Sequence, residues 1–274
     1  MSGLSPGTGK RDASMLPPEL VDAFLRHDVV LFCGDRLSRL GGFPTRRDLA
    51  RFLALRIEDY DGYKHGLADV AATYEAIRGR HNLINVLLSL FRSIPESPTQ
   101  THKRISGLEL PAIVTTCWDG LLETAVRRAD APFSVVIDDR QLPFTDPRGG
   151  LLVKIYGSIE RPESLVVTER DHHGLAHTRP GVLELVTSFF RSRTLLFLGF
   201  DLLAPEFRQL LYDCRFRYGE LARPLYVTQP GASAADVQRW RAQGLHLVDI
   251  DVDDLISSVV EMREINQTSR QEDS

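Results

Sequence analysis

The chain has 274 residues, enough for one large α/β domain or two modest ones. With 43% hydrophobic and 26% charged residues its composition is ordinary for a globular protein, and a formal charge of −4 gives no global pull toward nucleic acid or an anionic membrane. The three cysteines, Cys33, Cys117 and Cys214, are too few for a four-cysteine zinc site and fit no disulfide framework. With no leader-like N-terminus and no apolar run of membrane-spanning length, a cytoplasmic protein is expected.

Residues 1–16, rich in Gly, Ser and Pro, read as a disordered arm before a folded domain over 17–264. The run VVLFC over 29–33 predicts the first strand, ending at Gly34. Residues 45–107 hold three or four helical patterns, over 47–57, 67–77, 82–91 and 99–106, and no strand. They read as a helical insert placed to cap a crevice. A second strand is expected over 112–116 after Pro111, then a helix over 118–128 and a strand over 133–137. The strand over 151–156 stops at Gly157. A helix over 180–191 opens on Pro-Gly, and the strand over 194–198 stops at Gly199. A helix over 205–218, strands over 224–228 and 246–250 and a helix over 253–262 follow, and 265–274 reads as a disordered tail. Continuous β-branched and Leu-rich strands with helices between them predict strands buried on both faces. The expected architecture is a doubly wound, Rossmann-like, mostly parallel sheet of six to seven strands.

In such a sheet ligands sit at the carboxyl ends of the strands. Four strands here end in Gly34-Asp35-Arg36-Leu37-Ser38, Cys117-Trp118-Asp119, Tyr156-Gly157-Ser158 and Gly199-Phe200-Asp201. A glycine alone simply ends a strand, but four such clusters on one edge favour a site. Other clusters have plainer explanations. His172, His173 and His177 suggest a metal site, yet without a cysteine or acidic partner at ligand spacing a solvated loop is preferred. The row Asp249, Asp251, Asp253 and Asp254 lacks the ligand number and glycine turn of a calcium loop and reads as a strand end and helix cap. Arg239-Trp240-Arg241 is a stacked surface patch or, preferably, a half-buried helix face. No metal site is predicted.

The four strand ends resemble the sirtuin family. That family opens with a strand, Gly-Ala-Gly-x-Ser and then Gly-Ile-Pro; LFCGDRLSRLGGFP supplies Gly34, Ser38, Gly42 and Pro44 at those spacings. Its second block, Thr-x-Asn-x-Asp before a helix, is matched by Thr115, Thr116 and Asp119. Its third, Lys-x-His-Gly, is matched by Lys154, Gly157 and Ser158, and the Val-Thr-x-x-Asp continuation of the bacterial sirtuin-like branch by Val167, Thr168 and Asp171. Its fourth, Gly-x-Ser with a nearby Asp-Pro, is matched by Gly199 and Pro205. The resemblance spans about residues 20–260 and implies the fold, an NAD or related adenine-nucleotide site without zinc, and cleavage of the nicotinamide–ribose bond in defence systems. It implies cofactor contacts at Gly34, Asp35, Arg36, Ser38, Pro44, Thr116, Gly157, Gly199 and Asp201, and catalytic positions at Asp119, Tyr156 and Cys117.

The departures fall on reactive positions. Asp35 and Arg36 replace the Ala and Gly that let a pyrophosphate approach the backbone. Cys117 stands where the family has Asn and lacks its paired amide donor and acceptor; it reads as a small buried thiol, or as a nucleophile if a cation lowers its pKa. Tyr156 stands for the catalytic His, and a phenol is a poor base at neutral pH. Asp201 replaces Ser, offering a ribose contact or a turn cap. The expected function is a nucleotide-binding, catalytically impaired sirtuin-like domain, in a bacterial defence or signalling complex. The alternatives are an active NAD glycohydrolase with altered residues and a scaffold for a protein partner or homo-oligomer.

Overall fold

The computed structural model describes residues 16–60, 65–204, 207–209, 211, 212 and 223–272. The expected arm lies outside them except for Leu16, as do Cys214, Pro205 and most of the helix expected over 205–218. Seven strands form one all-parallel sheet: β1 Val29–Cys33, β2 Ala112–Thr115, β3 Phe133–Val136, β4 Gly150–Lys154, β5 Thr194–Leu198, β6 Leu225–Thr228 and β7 Leu245–Val248. Their order is β3-β4-β2-β1-β5-β6-β7. From β1 the chain winds outward through β2, then returns to build β5, β6 and β7 on its other side. The edge where β1 meets β5 is therefore the topological switch point, the place where a doubly wound sheet opens a crevice.

Alternation within strands explains the two cores. Val30 and Phe32 of β1, Val114 of β2 and Phe197 of β5 point to one face. There they meet the insert helices α3 (Arg46–Ala54), α4 (Leu67–Arg78) and α5 (Arg80–Arg92), and later α9 (Pro180–Ser192). Val29, Leu31 and Cys33 of β1, Ile113 of β2 and Leu196 of β5 point to the other. That face is covered by α1 (Pro18–Leu25), α6 (Gln100–Ser106), α7 (Leu121–Arg128) and the last helix, α11 (Val252–Glu272). The insert thus divides: three helices cover one face and α6 crosses to the other. A period of two with both faces covered is why the central strands β1, β2 and β5 read as nearly continuous apolar runs.

Several elements differ from expectation. Gly34 is followed at once by a short helix, α2 (Asp35–Leu40), that the sequence reading did not include. The stretch with three histidines is helix α8 (Glu169–Thr178), not a solvated loop. Its start is a capping box in which Thr168 Oγ1 accepts from Asp171 N and the Asp171 carboxylate accepts from Thr168 N. The helix after β2 begins at Leu121, because Asp119 Oδ1 accepts from Leu121 N and leaves Cys117–Gly120 as a loop. As expected, Arg239-Trp240-Arg241 forms a half-buried helix face: α10 (Ala234–Ala242) buries Trp240 while Arg239 and Arg241 stay exposed. The tail expected from 265 continues α11 to Glu272; Glu, Gln and Arg there are good helix formers, and Thr268 Oγ1 bonds back to Glu264 O. The aspartate row caps that helix as expected, with Asp251 Oδ1 accepting from Asp254 N.

Candidate functional site

The four strand ends meet as expected, tied together through the backbone. Gly34 N donates to Leu198 O at 2.8 Å and Arg36 N to Gly199 O at 3.1 Å, joining the β1 and β5 ends. Thr116 N donates to Cys33 O at 3.2 Å, and Ile155 N to Thr115 O at 3.0 Å. At the switch point the two glycines press against each other: a Cβ on Gly34 would lie 2.7 Å from Gly199 O. Phe200 is buried there in the aromatic core with Phe197 and Phe207.

The open part of the crevice lies beside this seam, between β1 and β2. Asp35, Ser38, Pro44, Thr116, Cys117 and Asp119 line it, as the sequence led one to expect. Arg46 and Leu49 from α3, Phe91 from α5 and Trp118 complete the wall. The other expected residues do not line it. Arg36 is exposed, and Asp201 is exposed with Oδ1 accepting from Leu203 N, so it caps its own turn. Gly157 and Gly199 serve tight backbone packing at φ 86° and 69°. Tyr156 lies buried behind Arg46.

A hydrogen-bonded pair forms the floor. Ser38 Oγ donates to Asp119 Oδ2 at 2.5 Å with both residues buried. Asp119 is held from behind by Lys154, which is fully buried. The Lys154 ammonium donates to Asp119 O at 2.6 Å, Trp118 O at 3.3 Å and Ser158 Oγ at 3.2 Å, and pairs with Glu123. A buried cation needs these partners to offset desolvation. Burial raises the Glu123 carboxyl, and Lys154 opposes that rise.

Protonation decides what the wall can do. Burial pushes the Cys117 thiol up to about 12, with Asp119 adding to the effect, so at neutral pH it is a thiol and not a nucleophile. Burial likewise raises the Asp35 carboxyl, against which Arg46 acts: Arg46 N donates to Asp35 Oδ2 at 2.6 Å. Two residues that the motif reading passed over stand at the back. His172 of α8 sets its ring edge against Tyr156, with centroids 4.6 Å apart, and its Nε2 lies 3.2 Å from Arg46 Nη2. Burial first, then the Arg46 guanidinium, push its pKa down to about 3. The imidazole is therefore neutral, with Nε2 accepting from the arginine. Only a short basic pair, Arg46-Arg47, and a histidine cluster hinted at these residues.

The unfilled space between these side chains is about 20 Å³. That is room for roughly one water, against the roughly 300–1,000 Å³ of a ligand pocket.

Comparison with known proteins agrees with this fold. The model of the SIR2-like domain matches residues 111–248, half of the chain. The NAD(+) hydrolase ThsA of Enterococcus faecium is 26% identical over 219 residues, covering 78% of this chain and 46% of that protein. ThsA of Bacillus cereus (strain MSX-D12) is 25% identical over 238 residues, covering 82% and 49%. The chain thus spans about half the length of these relatives. A solved structure described as "The Structural basis for Sirtuin Substrate affinity" aligns at 14% identity with a TM-score of 0.50, covering 90% of this chain and 98% of that one, and bears on the fold alone. From the seven-stranded parallel sheet, the ordered strand-end motifs and the matched half of its length, this chain belongs to the SIR2-like domain family.

Proposed function

We propose that this domain binds NAD or a related adenine nucleotide at the crevice between β1 and β2 and turns it over slowly or not at all, within a bacterial defence or signalling complex. The observation that carries the reading is the crevice wall. The Ser38–Asp119 pair and Thr116 offer hydroxyl and carboxylate partners for a ribose. Cys117, a thiol at neutral pH, stands where the resemblance places an amide. Tyr156, a phenol, stands where it places an imidazole, and Arg46 and His172 cover its ring. Asp35 sits where a pyrophosphate would approach, so binding asks the β1 end and α3 to move apart.

A second reading, an active NAD glycohydrolase, is favoured by the naming of the ThsA relatives as NAD(+) hydrolases. Asp119, aimed at the crevice, would then stabilise the positive charge that develops on the ribose. Exposed Asp201, which caps its own turn, is less suited to that role.

Thermal unfolding with NAD, ADP-ribose and nicotinamide, together with a product assay, tests both. At a hundred times its Kd a ligand stabilises the fold by about 2.7 kcal/mol, a shift of roughly 5–10 °C at about 2–4 °C per kcal/mol. A shift with NAD or ADP-ribose and no product above a Tyr156→Phe control is the expected result. Turnover well above that control replaces it with the hydrolase reading. No shift with any of the three removes the nucleotide and leaves the scaffold.

A further inference from the structure

We propose that Lys154 is the positioning residue of this crevice: its buried ammonium, neutralised by Glu123, fixes the Cys117–Gly120 loop and so aims Asp119 at Ser38. The inference concerns the loop whatever the crevice binds, so it goes beyond the nucleotide reading and does not rest on it.

A loop that leaves a strand has no ladder to satisfy its carbonyls, and here one side chain meets two of them. Lys154, the last residue of β4 and fully buried, donates from Nζ to Asp119 O at 2.6 Å and to Trp118 O at 3.3 Å. Ile159 N, from the turn beyond β4, also donates to Trp118 O, at 2.8 Å, so Trp118 has a second anchor. For Asp119 O the anchor is the ammonium. At the two ends of the loop, Cys117 N donates to Thr115 Oγ1 at 3.0 Å and Leu121 N to Asp119 Oδ1 at 3.1 Å. The main chain of Asp119 is thus tied to β4 through Lys154, and from there its carboxylate reaches Ser38.

The charges are divided to match. Lys154 pairs with Glu123 of α7, while the Asp119 carboxylate accepts from Ser38 Oγ and Leu121 N. Glu123 is itself buried, and its Oε2 has no hydrogen-bond partner among the described residues, so this carboxylate serves the cation and not a wider network. A buried pair of this kind adds little net stability, because desolvation offsets the attraction, and apolar residues of similar volume often replace it without loss. Its value here is geometric. Without the ammonium the Asp119 carbonyl loses its partner inside the protein, and the loop must turn it toward water. That turn carries the carboxylate off Ser38 and loosens the wall at Cys117, which lines the same crevice.

The test separates positioning from stability in the full chain. Lys154→Met alone leaves Glu123 buried and unpaired and should lower the unfolding midpoint; adding Glu123→Leu removes that charge and should restore it. Loop order is read without nucleotide, as the rate of Cys117 modification by N-ethylmaleimide in mass-spectrometric peptide maps. Cys33, fully buried in β1, is the control for global opening. Binding of NAD and ADP-ribose is read by calorimetry. In the Lys154→Met, Glu123→Leu variant we expect Cys117 to react several-fold faster than in the natural chain, Cys33 to be unchanged, and any nucleotide the natural chain binds to be held several-fold more weakly. A natural Cys117 rate overturns the proposal and leaves the pair a purely structural role, whatever the nucleotides do. Cys33 accelerated in step with Cys117 also overturns it, because the opening is then global. Faster Cys117 modification with undiminished binding overturns it as well, because the aim of the loop then does not matter to the site. Faster Cys117 modification with no nucleotide bound by either protein upholds the positioning and removes the nucleotide reading. Should the double variant fail to fold, Glu123→Gln takes its place: the ammonium, short of its counter-ion, draws on the Asp119 carboxylate, and the same outcomes are read.

Discussion

A histidine packed against a guanidinium and a tyrosine ring stays neutral in the folded state, and this has a measurable pH signature. The pKa of His172 falls to about 3, from 6.5 in an unfolded chain. The unfolded state therefore binds more protons between those values. Stability associated with His172 is complete above about pH 6.5 and is lost as pH falls toward 3, by at most about 1.4 kcal/mol per pH unit. Asp48, Asp138 and Asp171, held below the usual carboxylate range, and His102 and His246, also lowered, give slopes of the same sign. The raised Asp35 and Glu123 carboxyls oppose them. His172→Gln isolates the one group: urea unfolding at pH 7, 6, 5 and 4 should show a shallower loss than the natural chain. Equal slopes would mean that His172 is not buried as a neutral base. At this scale Ser38, Thr116, Cys117 and Asp119 were legible because each follows a recognisable strand at motif spacing. Arg46 and His172, 126 positions apart, were not, because a short basic pair and a histidine cluster do not tell that the two meet, which only the fold brings about.

The tight joint between strand ends is a property of elements. Gly199, at φ 69°, ends β5 where α2 begins, and a Cβ there would lie 3.0 Å from Arg36 Cβ and 3.1 Å from Leu37 N. Both neighbours are close to the main chain of α2 and cannot swing aside. Gly199→Ala should therefore destabilise by about 1–3 kcal/mol through strain at positive φ and a forced shift of α2. Guanidinium unfolding should show a lower midpoint at unchanged m; an unaltered midpoint would mean that α2 moves freely. The strands were legible to within about two residues because they are rich in β-branched and other apolar residues and most are buried on both faces. Helix α2 was not, since six residues directly after a strand are too few for a helical period to stand out. Helix α8 was missed for its polar, histidine-rich composition, although the Thr168-x-x-Asp171 capping box was there to be read.

The insert is docked onto the sheet by long-range contacts that shape the whole molecule. Arg80 at the start of α5 reaches Asp171 Oδ2 at 2.7 Å, Glu75 Oε2 at 3.1 Å and Leu165 O at 2.9 Å, joining two insert helices to the segment after β4. With a part-exposed guanidinium, Arg80→Ala should cost about 1–2 kcal/mol. Hydrogen exchange should quicken in α4 and α5 before the central strands; uniform quickening would mean that insert and sheet open together. The chain's own sequence determined the parallel sheet, the insert and four motif-bearing strand ends, because buried strands and their terminating glycines impose local patterns. Only the tertiary structure decided that the ends close on one another, that α3 lays Arg46 across the crevice and that α8 sets His172 behind it. Those placements depend on packing between segments far apart in the chain, which no local periodicity records.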